Sequence, residues 1–211
     1  MKQEDLEIFL QAVGPEDPLS RLREEAISRG VPIIRPDSLS FLKTLIRLKR
    51  PEKILEIGGG IGYSALEMSL AFPGARIDSI ELDPERAETA RRLLKENGAA
   101  AAVLEGDAAD WLERLNGPYD LIFLDGPKAQ YIHYWPGIRA LLPPGGSLVA
   151  DNILQNQSLT ESRYAVERRD RTIHDRLRAF VEAVRQDPGF TSCLLRTGDG
   201  LLWAVKEKEH E

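Results

Sequence analysis

The stretch that decides the reading is Lys53-Ile54-Leu55-Glu56-Ile57-Gly58-Gly59-Gly60-Ile61-Gly62-Tyr63-Ser64. Lys53 to Ile57 form a short apolar run of strand length, and Tyr63 and Ser64 open a helical stretch, so the glycines lie where a strand turns into a helix. Glycine this dense costs both elements stability, which favours a ligand lying close to the backbone over a bare turn. The helix N-terminus that follows offers unpaired N–H groups to such a ligand.

The chemistry of that ligand is narrowed by two residues. A dinucleotide fingerprint wants glycine at position 63, where this chain has tyrosine. Glu56 would repel a pyrophosphate, whereas a carboxylate there suits a ligand carrying an ammonium and a sulfonium, as S-adenosylmethionine does. Gly58, Gly60 and Gly62, with Glu56 before them, are therefore candidate cofactor-binding residues.

Working outward, the pattern recurs. Short apolar runs at Arg76–Ile80, Ala101–Glu105, Asp120–Leu124 and Ser147–Asp151 alternate with helical stretches opening near Tyr63, Pro84, Ala108, Gln130 and Arg171. Such alternation predicts a parallel sheet covered by helices. Two further runs, TSCLLR and GLLWAV, are joined by Thr197-Gly198-Asp199-Gly200, a turn too short for a crossover helix, so an antiparallel hairpin closes one side of a seven-stranded sheet. Before Pro51 the spacing predicts helices over Asp5–Val13, Pro18–Arg29 and Asp37–Lys49, with Asp37 placed to cap the last. The expected organisation is one domain over 1–211: a helical segment, 1–50, that covers the site, an α/β core, 51–206, and a tail, 207–211.

Composition sets outer limits. With 211 residues, 42% hydrophobic and 29% charged, the chain is outside the collagen-like and disordered classes. The single cysteine, Cys193, rules out an internal disulfide and every zinc pattern built on paired cysteines, which fits a reducing compartment. No signal peptide or membrane span is legible, so the cytoplasm is the expected location and no membrane partner is expected. A net charge of −6 argues against a protein coated in positive charge, although it leaves room for a local basic patch.

Further candidates sit where the strands end. Glu81 follows the second strand, at the distance where an acid accepts both hydroxyls of a ribose, which alone leaves NAD and S-adenosylmethionine open. Asp107, in Gly106-Asp107-Ala108, either faces an adenine edge or caps the next helix. Asp125 and Asp151-Asn152 close the fourth and fifth strands, and two carboxylates plus an amide oxygen describe a magnesium-type site. Neighbouring strand residues face oppositely, so Asp151 and Asn152 can share a metal only if the strand stops there. Tyr131, His133, Tyr134 and Trp135 either wall a flat substrate or pack at the kink of Pro136. His174 and His210 are expected in solvent, and Cys193 is expected to be buried and inert.

Taken together, EIGGGIGYS, Glu81, GDA, FLDGPKAQY and ADN, in this order and spacing, resemble the cation-dependent class I O-methyltransferases of the catechol and caffeoyl-CoA type. The resemblance runs from about Val31 to the C-terminus and implies a Rossmann-like fold with helices on both faces of the sheet. It implies that Ile34, Ser64, Glu81, Asp107, Ala108 and Asp125 touch S-adenosylmethionine, and that Asp125, Asp151 and Asn152 bind Mg2+ or Mn2+. Lys128 falls where catechol enzymes have a lysine near the reacting hydroxyl, which makes Asp125, Lys128 and Asp151 the catalytic candidates. Gly126-Pro127 departs from the family's usual loop. Relatives of this type are often dimers, so a homodimer is expected.

Within that group, Val31-Pro32-Ile33-Ile34, the arginines after Asn152 and the closing GDGL most resemble the bacterial tRNA 5-hydroxyuridine methyltransferases. That resemblance implies tRNA as partner and the 5-hydroxyl of a uridine as acceptor. The alternative is a small catechol-like or caffeoyl-CoA-like phenol. The stretch Arg163 to Arg178 holds Arg163, Arg168, Arg169, Arg171, Arg176 and Arg178 among Glu167, Asp170 and Asp175, with Glu161 just before it. Such a mixture usually marks a solvated helix face, but its place directly after the proposed metal ligands would let arginines meet RNA phosphates at the rim.

Overall fold

The computed structural model describes residues 19–28, 30–154, 159, 162, 164 and 166–208. The helix expected over Asp5–Val13 lies outside the described residues, as do Arg163, His210 and the end of the tail. Among the described residues, two helices, α1 (Ser20–Ser28) and α2 (Pro36–Lys49), precede strand β1 (Lys53–Ile57). Then follow α3 (Tyr63–Ala71), β2 (Arg76–Glu81), α4 (Pro84–Glu96), β3 (Ala101–Glu105), α5 (Ala108–Arg114) and β4 (Leu121–Leu124). A 3₁₀ turn (Lys128–Gln130), α6 (Tyr131–Leu141), β5 (Ser147–Ala150), α7 (Arg171–Gln186), β6 (Phe190–Leu195) and β7 (Leu201–Lys206) are the remaining described elements.

The seven strands form one sheet in the order β3-β2-β1-β4-β5-β7-β6. The first five are mutually parallel, and β7 pairs antiparallel with both β5 and β6, as the short turn before it predicts. Strand order reverses between β1 and β4, whose last residues, Ile57 and Leu124, are register partners. At such a reversal the connections leave toward opposite faces and open a crevice beyond the strand ends.

Successive strand residues feed two cores. Leu55, Ile57, Ile122 and Leu124 pack under α6 and α7 with Tyr131, Trp135 and Phe180. Ile54, Leu121 and Phe123 pack on the other face with Leu42, Ile46 and Leu66 of α2 and α3. The sheet is therefore apolar on both faces, as a doubly covered parallel sheet must be. Across the second core, Lys43 on α2 reaches the wholly buried carboxylate of Glu67 on α3 at 2.7 Å, so α2 is tied to the helix that follows the glycine loop.

Three local expectations need correction. Asp37 does not cap α2: the helix starts one residue earlier, at Pro36, whose fixed φ suits the first helical position. The Asp37 carboxylate instead accepts from the amide of Gly198. His174 is not solvated but 4% exposed, because it shares a helical stripe with Leu177, Val181 and Val184. Cys193 is only half-buried.

Candidate active site

The glycine loop is built against the end of β4. Gly58 and Gly59 both donate to the carbonyl of Ile80 at 2.9 Å, and Asp125 donates to that of Ile57 at 2.9 Å. Gly58 has φ +98°, and a Cβ there would overlap the Asp125 carbonyl oxygen, so only glycine lets the two backbones meet. Gly60 then turns its amide toward the acid at the end of β2, donating to Glu81 Oε2 at 2.7 Å. Asp83 N donates to Oε1 at 2.9 Å. Each Glu81 oxygen is thus oriented by one backbone donor and keeps acceptor capacity for another partner. Gly62 serves helix packing instead, lying against Ala90 of α4, and is absent from the cleft wall.

Glu56 is completely buried on β1. The hydroxyl of Ser79, its register partner on β2, donates to Oε2. Oε1 has no partner within hydrogen-bond geometry among the described residues. Burial pushes the carboxyl up to about 7, while the Ser64 and Ser79 hydroxyls pull it down and the charge of Glu81 adds to the rise. A buried carboxylate served only by hydroxyls is costly, and a cationic group in the neighbouring recess would relieve that cost.

The crevice is about 690 Å³, within the range of small-molecule sites. Its walls include Val31, Pro32, Gly58, Gly60, Glu81, Leu82, Gly106, Asp107, Ala108, Asp125, Lys128, Tyr134 and Asn152. Ile34 and Ser64 line an adjoining recess beside Gly58–Ile61 and Asp125. Asp107 caps α5, its carboxylate accepting from Ala109 N at 2.8 Å, and the residue also lies on the crevice wall. Leu82, 62% exposed, and Arg86 join that wall; sequence reasoning missed both, although each closely follows Glu81.

At the other end, the condition for Asp151 and Asn152 to work together is met. Strand β5 stops at Ala150, and Asn152 has φ +63°, so the chain leaves strand geometry between them. Asn152 Nδ2 donates to Asp125 Oδ1 at 2.8 Å, and Asn152 N donates to Asp151 Oδ1 at 2.6 Å. Burial raises Asp125 to about 6, with Glu56 adding to the rise and Lys128 and Asn152 opposing it. Burial, then the charge of Asp125, raises Asp151 to about 7. Two acids that compete for one negative region, beside an amide oxygen, form a hard donor set that a divalent cation would stabilise. Among the described residues no three His, Cys, Asp or Glu side chains converge as a metal cluster; the set is two carboxylates and an amide.

Gly126-Pro127 leads into the 3₁₀ turn that opens with Lys128. The turn holds Lys128 half-buried on the crevice wall, and burial lowers its pKa while Asp199, Asp125 and Asp151 oppose that change. Asp199 is a further acid at this end that sequence reasoning passed over, and Arg35, its ion-pair partner at 3.0 Å, is another residue it missed. Neither carries a local signal. Of the aromatic group, Tyr131 and Trp135 belong to the core, with ring centroids 5.4 Å from Phe180 and 5.0 Å from Phe190. Tyr134 alone reaches the crevice, and His133 is exposed.

Most of the described arginines after Asn152 have partners within the chain. Arg169 pairs with Glu167 at 3.0 Å, and Arg178 with Glu182 at 3.7 Å. Arg171 donates to the Val166 carbonyl at 3.2 Å, and Arg176 to that of Ala129 at 3.4 Å, next to Lys128. Arg168 is exposed. Exposed pairs of this kind are weak, so Arg169 and Arg178 can exchange their partners.

The sheet order and the glycine loop, with an acid at the end of β2, match the Rossmann-like methyltransferase architecture. The family profile described as O-methyltransferase matches residues 13–207, and the chain belongs to that family. It is 33% identical over 150 residues to a catechol O-methyltransferase of Niastella koreensis, an alignment covering 67% of this chain and 68% of the relative. It is 32% identical over 208 residues to caffeoyl-CoA O-methyltransferase 5 of Nicotiana tabacum, covering 92% and 87%. The O-methyltransferase TomG of Streptomyces achromogenes, solved in complex with S-adenosylmethionine, superposes with a TM-score of 0.84 at 26% identity, covering 99% of this chain and 100% of TomG. The protein is an S-adenosylmethionine-dependent O-methyltransferase. No helix among the described residues is long and apolar enough to cross a membrane.

Proposed function

We propose that the protein methylates a hydroxyl that has a second oxygen beside it on a flat ring, with Asp125, Asp151 and Asn152 holding a divalent cation, Mg2+ or Mn2+. The observation that carries this reading is the turn at Asn152, which brings its side chain onto Asp125 at the crevice that Glu81 also lines. When bound, S-adenosylmethionine supplies an electrophilic methyl group on a sulfonium, and the cation supplies positive charge that acidifies a nearby hydroxyl. Glu81 accepts the ribose hydroxyls. Buried Glu56 complements the charge of the ammonium end, which Ser64 and Ile34 border, and Asp107, Ala108 and Leu82 border the adenine. Lys128, whose ammonium is destabilised by burial, takes up the acceptor proton at Nζ. The walls hold acceptor oxygen and methyl carbon in near-attack geometry, which is most of what a displacement of this type requires.

The acceptor we assign is the 5-hydroxyl of 5-hydroxyuridine in tRNA, whose 4-carbonyl is the second oxygen. Exposed Arg168, with Tyr164 85% exposed nearby, supports this: phosphate contact and base stacking are the usual means of holding RNA. A second reading, a small catechol-like or caffeoyl-CoA-like phenol, is favoured by the named relatives and by the partnered arginines. Methyl transfer from labelled cofactor to 5-hydroxyuridine-containing tRNA and to catechol, each with Mg2+ and with EDTA, separates them. The tRNA reading requires tRNA labelling whose KM rises steeply with salt, and Arg168→Ala with Arg169→Ala flattens that slope by about 0.7–0.9 for each phosphate that is no longer neutralised. Labelling of catechol alone, indifferent to salt, establishes the phenol; activity retained in EDTA removes the cation from the mechanism.

A further inference from the structure

The turn between β6 and β7 is bonded to the segments that adjoin both ends of the crevice. On one side, Gly198 N donates to Asp37 Oδ2 at 2.5 Å, and Asp199 Oδ2 meets Arg35 Nε at 3.0 Å. Both partners open α2, directly after Ile33 and Ile34, which line the glycine-loop recess. On the other side, Leu154 N donates to the Asp199 carbonyl at 2.7 Å, and Ile153 N donates to that of Gly200 at 2.9 Å. Those partners directly follow Asp151 and Asn152. Gly198 has φ +58°, and a Cβ there would strike the Ser38 hydroxyl; one on Gly200 would strike the Leu154 side chain. The turn is thus packed without slack between the cofactor-side segment and the acid loop. The charge of Asp199 is felt at Asp125, Asp151 and Lys128. The pair itself is outside the core: the side chains of Arg35 and Asp199 are 45% and 24% exposed.

We propose that Arg35 and Asp199 are positioning residues that clamp the cofactor-side segment and the Asp151–Asn152 loop into one unit, so that cofactor and divalent cation bind cooperatively. The proposal rests on the cation reading above. Segment 32–34 can shift from the recess only by pulling on the turn, and the turn can shift only by pulling on the loop behind Asn152. A ligand that orders either end therefore pre-orders the other, and by linkage the two affinities must rise by the same factor.

The test uses the full chain and two binding measurements: S-adenosylhomocysteine by calorimetry with and without Mn2+, and Mn2+ by electron paramagnetic resonance with and without S-adenosylhomocysteine. For the unaltered protein each ligand tightens the other by about fivefold or more, equally in both directions. In Arg35→Ala and in Asp199→Asn that factor falls to within about twofold of one, and the double variant adds nothing further. Arg35→Lys keeps part of it, because an ammonium still pairs with Asp199 but without the planar fork. Charge effects separate from positioning, since Mn2+ affinity alone moves up when the guanidinium is removed and down when the carboxylate is neutralised, whereas coupling is lost in both. Coupling that survives in both variants, or is absent from the unaltered protein while Mn2+ binds, overturns the inference alone. No Mn2+ binding at all overturns the cation reading together with it.

Discussion

Gly58 and Asp125 press together so closely that a Cβ on the first would overlap the carbonyl oxygen of the second. The glycine loop and the acid that closes β4 therefore share one backbone wall. Asp125 cannot retreat, because its amide is bonded to Ile57 O at 2.9 Å. Gly58→Ala is expected to cost about 1–3 kcal/mol from the positive φ alone, with the overlap adding to it. A melting curve reads the loss, and calorimetry with S-adenosylhomocysteine should show binding largely abolished. A variant that melts and binds like the unaltered protein would mean that loop and strand end are not locked.

Glu81→Ala should weaken S-adenosylmethionine binding by an order of magnitude or more. A hydrogen bond to a charged group contributes about 1.5–3 kcal/mol, and a ribose offers this carboxylate two. The variant also releases the amides of Gly60 and Asp83, so Glu81→Gln, which can still accept from one of them, should lose less. Equal affinity of all three proteins would remove Glu81 from the ribose.

Stability of the ligand-free protein should fall as pH rises from about 4.5 to about 7. Glu56, at about 7, and Asp151, at about 7, hold protons in the folded state over a range where the unfolded chain has released them. The folded state then binds more protons than the unfolded one, so unfolding free energy decreases with pH, by up to about 1.4 kcal/mol per pH unit for each such group. Glu56→Gln should flatten the profile. A melting temperature that climbs through this window would contradict the burial assigned to these acids.

Asp151→Ala is expected to keep its fold and its S-adenosylhomocysteine affinity while losing turnover and Mn2+ binding. The reason is separation in the fold: Asp151 is 3% exposed beyond the end of β5, whereas Glu81, to which we assign the ribose, closes β2. Removing one carboxylate also relieves the repulsion between the two acids, so Asp125 should titrate closer to an ordinary carboxyl in the variant. Carbon-13 NMR of labelled aspartate would follow it, and turnover comparable to the unaltered protein would exclude Asp151 from the acceptor end.

What the amino-acid sequence determined by itself was whatever depends on short-range pattern. The strand-glycine-helix passage at Lys53–Ser64, the alternation of apolar runs and amphipathic helices, and the hairpin at Thr197–Gly200 are periodicities and turn chemistries confined to a few residues. Even His174 was legible in principle, since it shares the spacing of Leu177, Val181 and Val184. The carboxylates at strand ends could be named because parallel strands place their C-termini on one edge. Tertiary structure alone decided which polar groups meet. Asp37 looks like a helix cap in isolation, yet its carboxylate is taken by an amide from the far end of the chain. Arg35 and Asp199 are ordinary surface residues until the β6–β7 turn brings them to 3.0 Å. The acidity of Glu56, Asp125 and Asp151 is likewise absent from any local pattern. It arises from burial and from charges carried on other strands, and a pKa is set by the dielectric and the neighbours in space, which sequence distance does not encode.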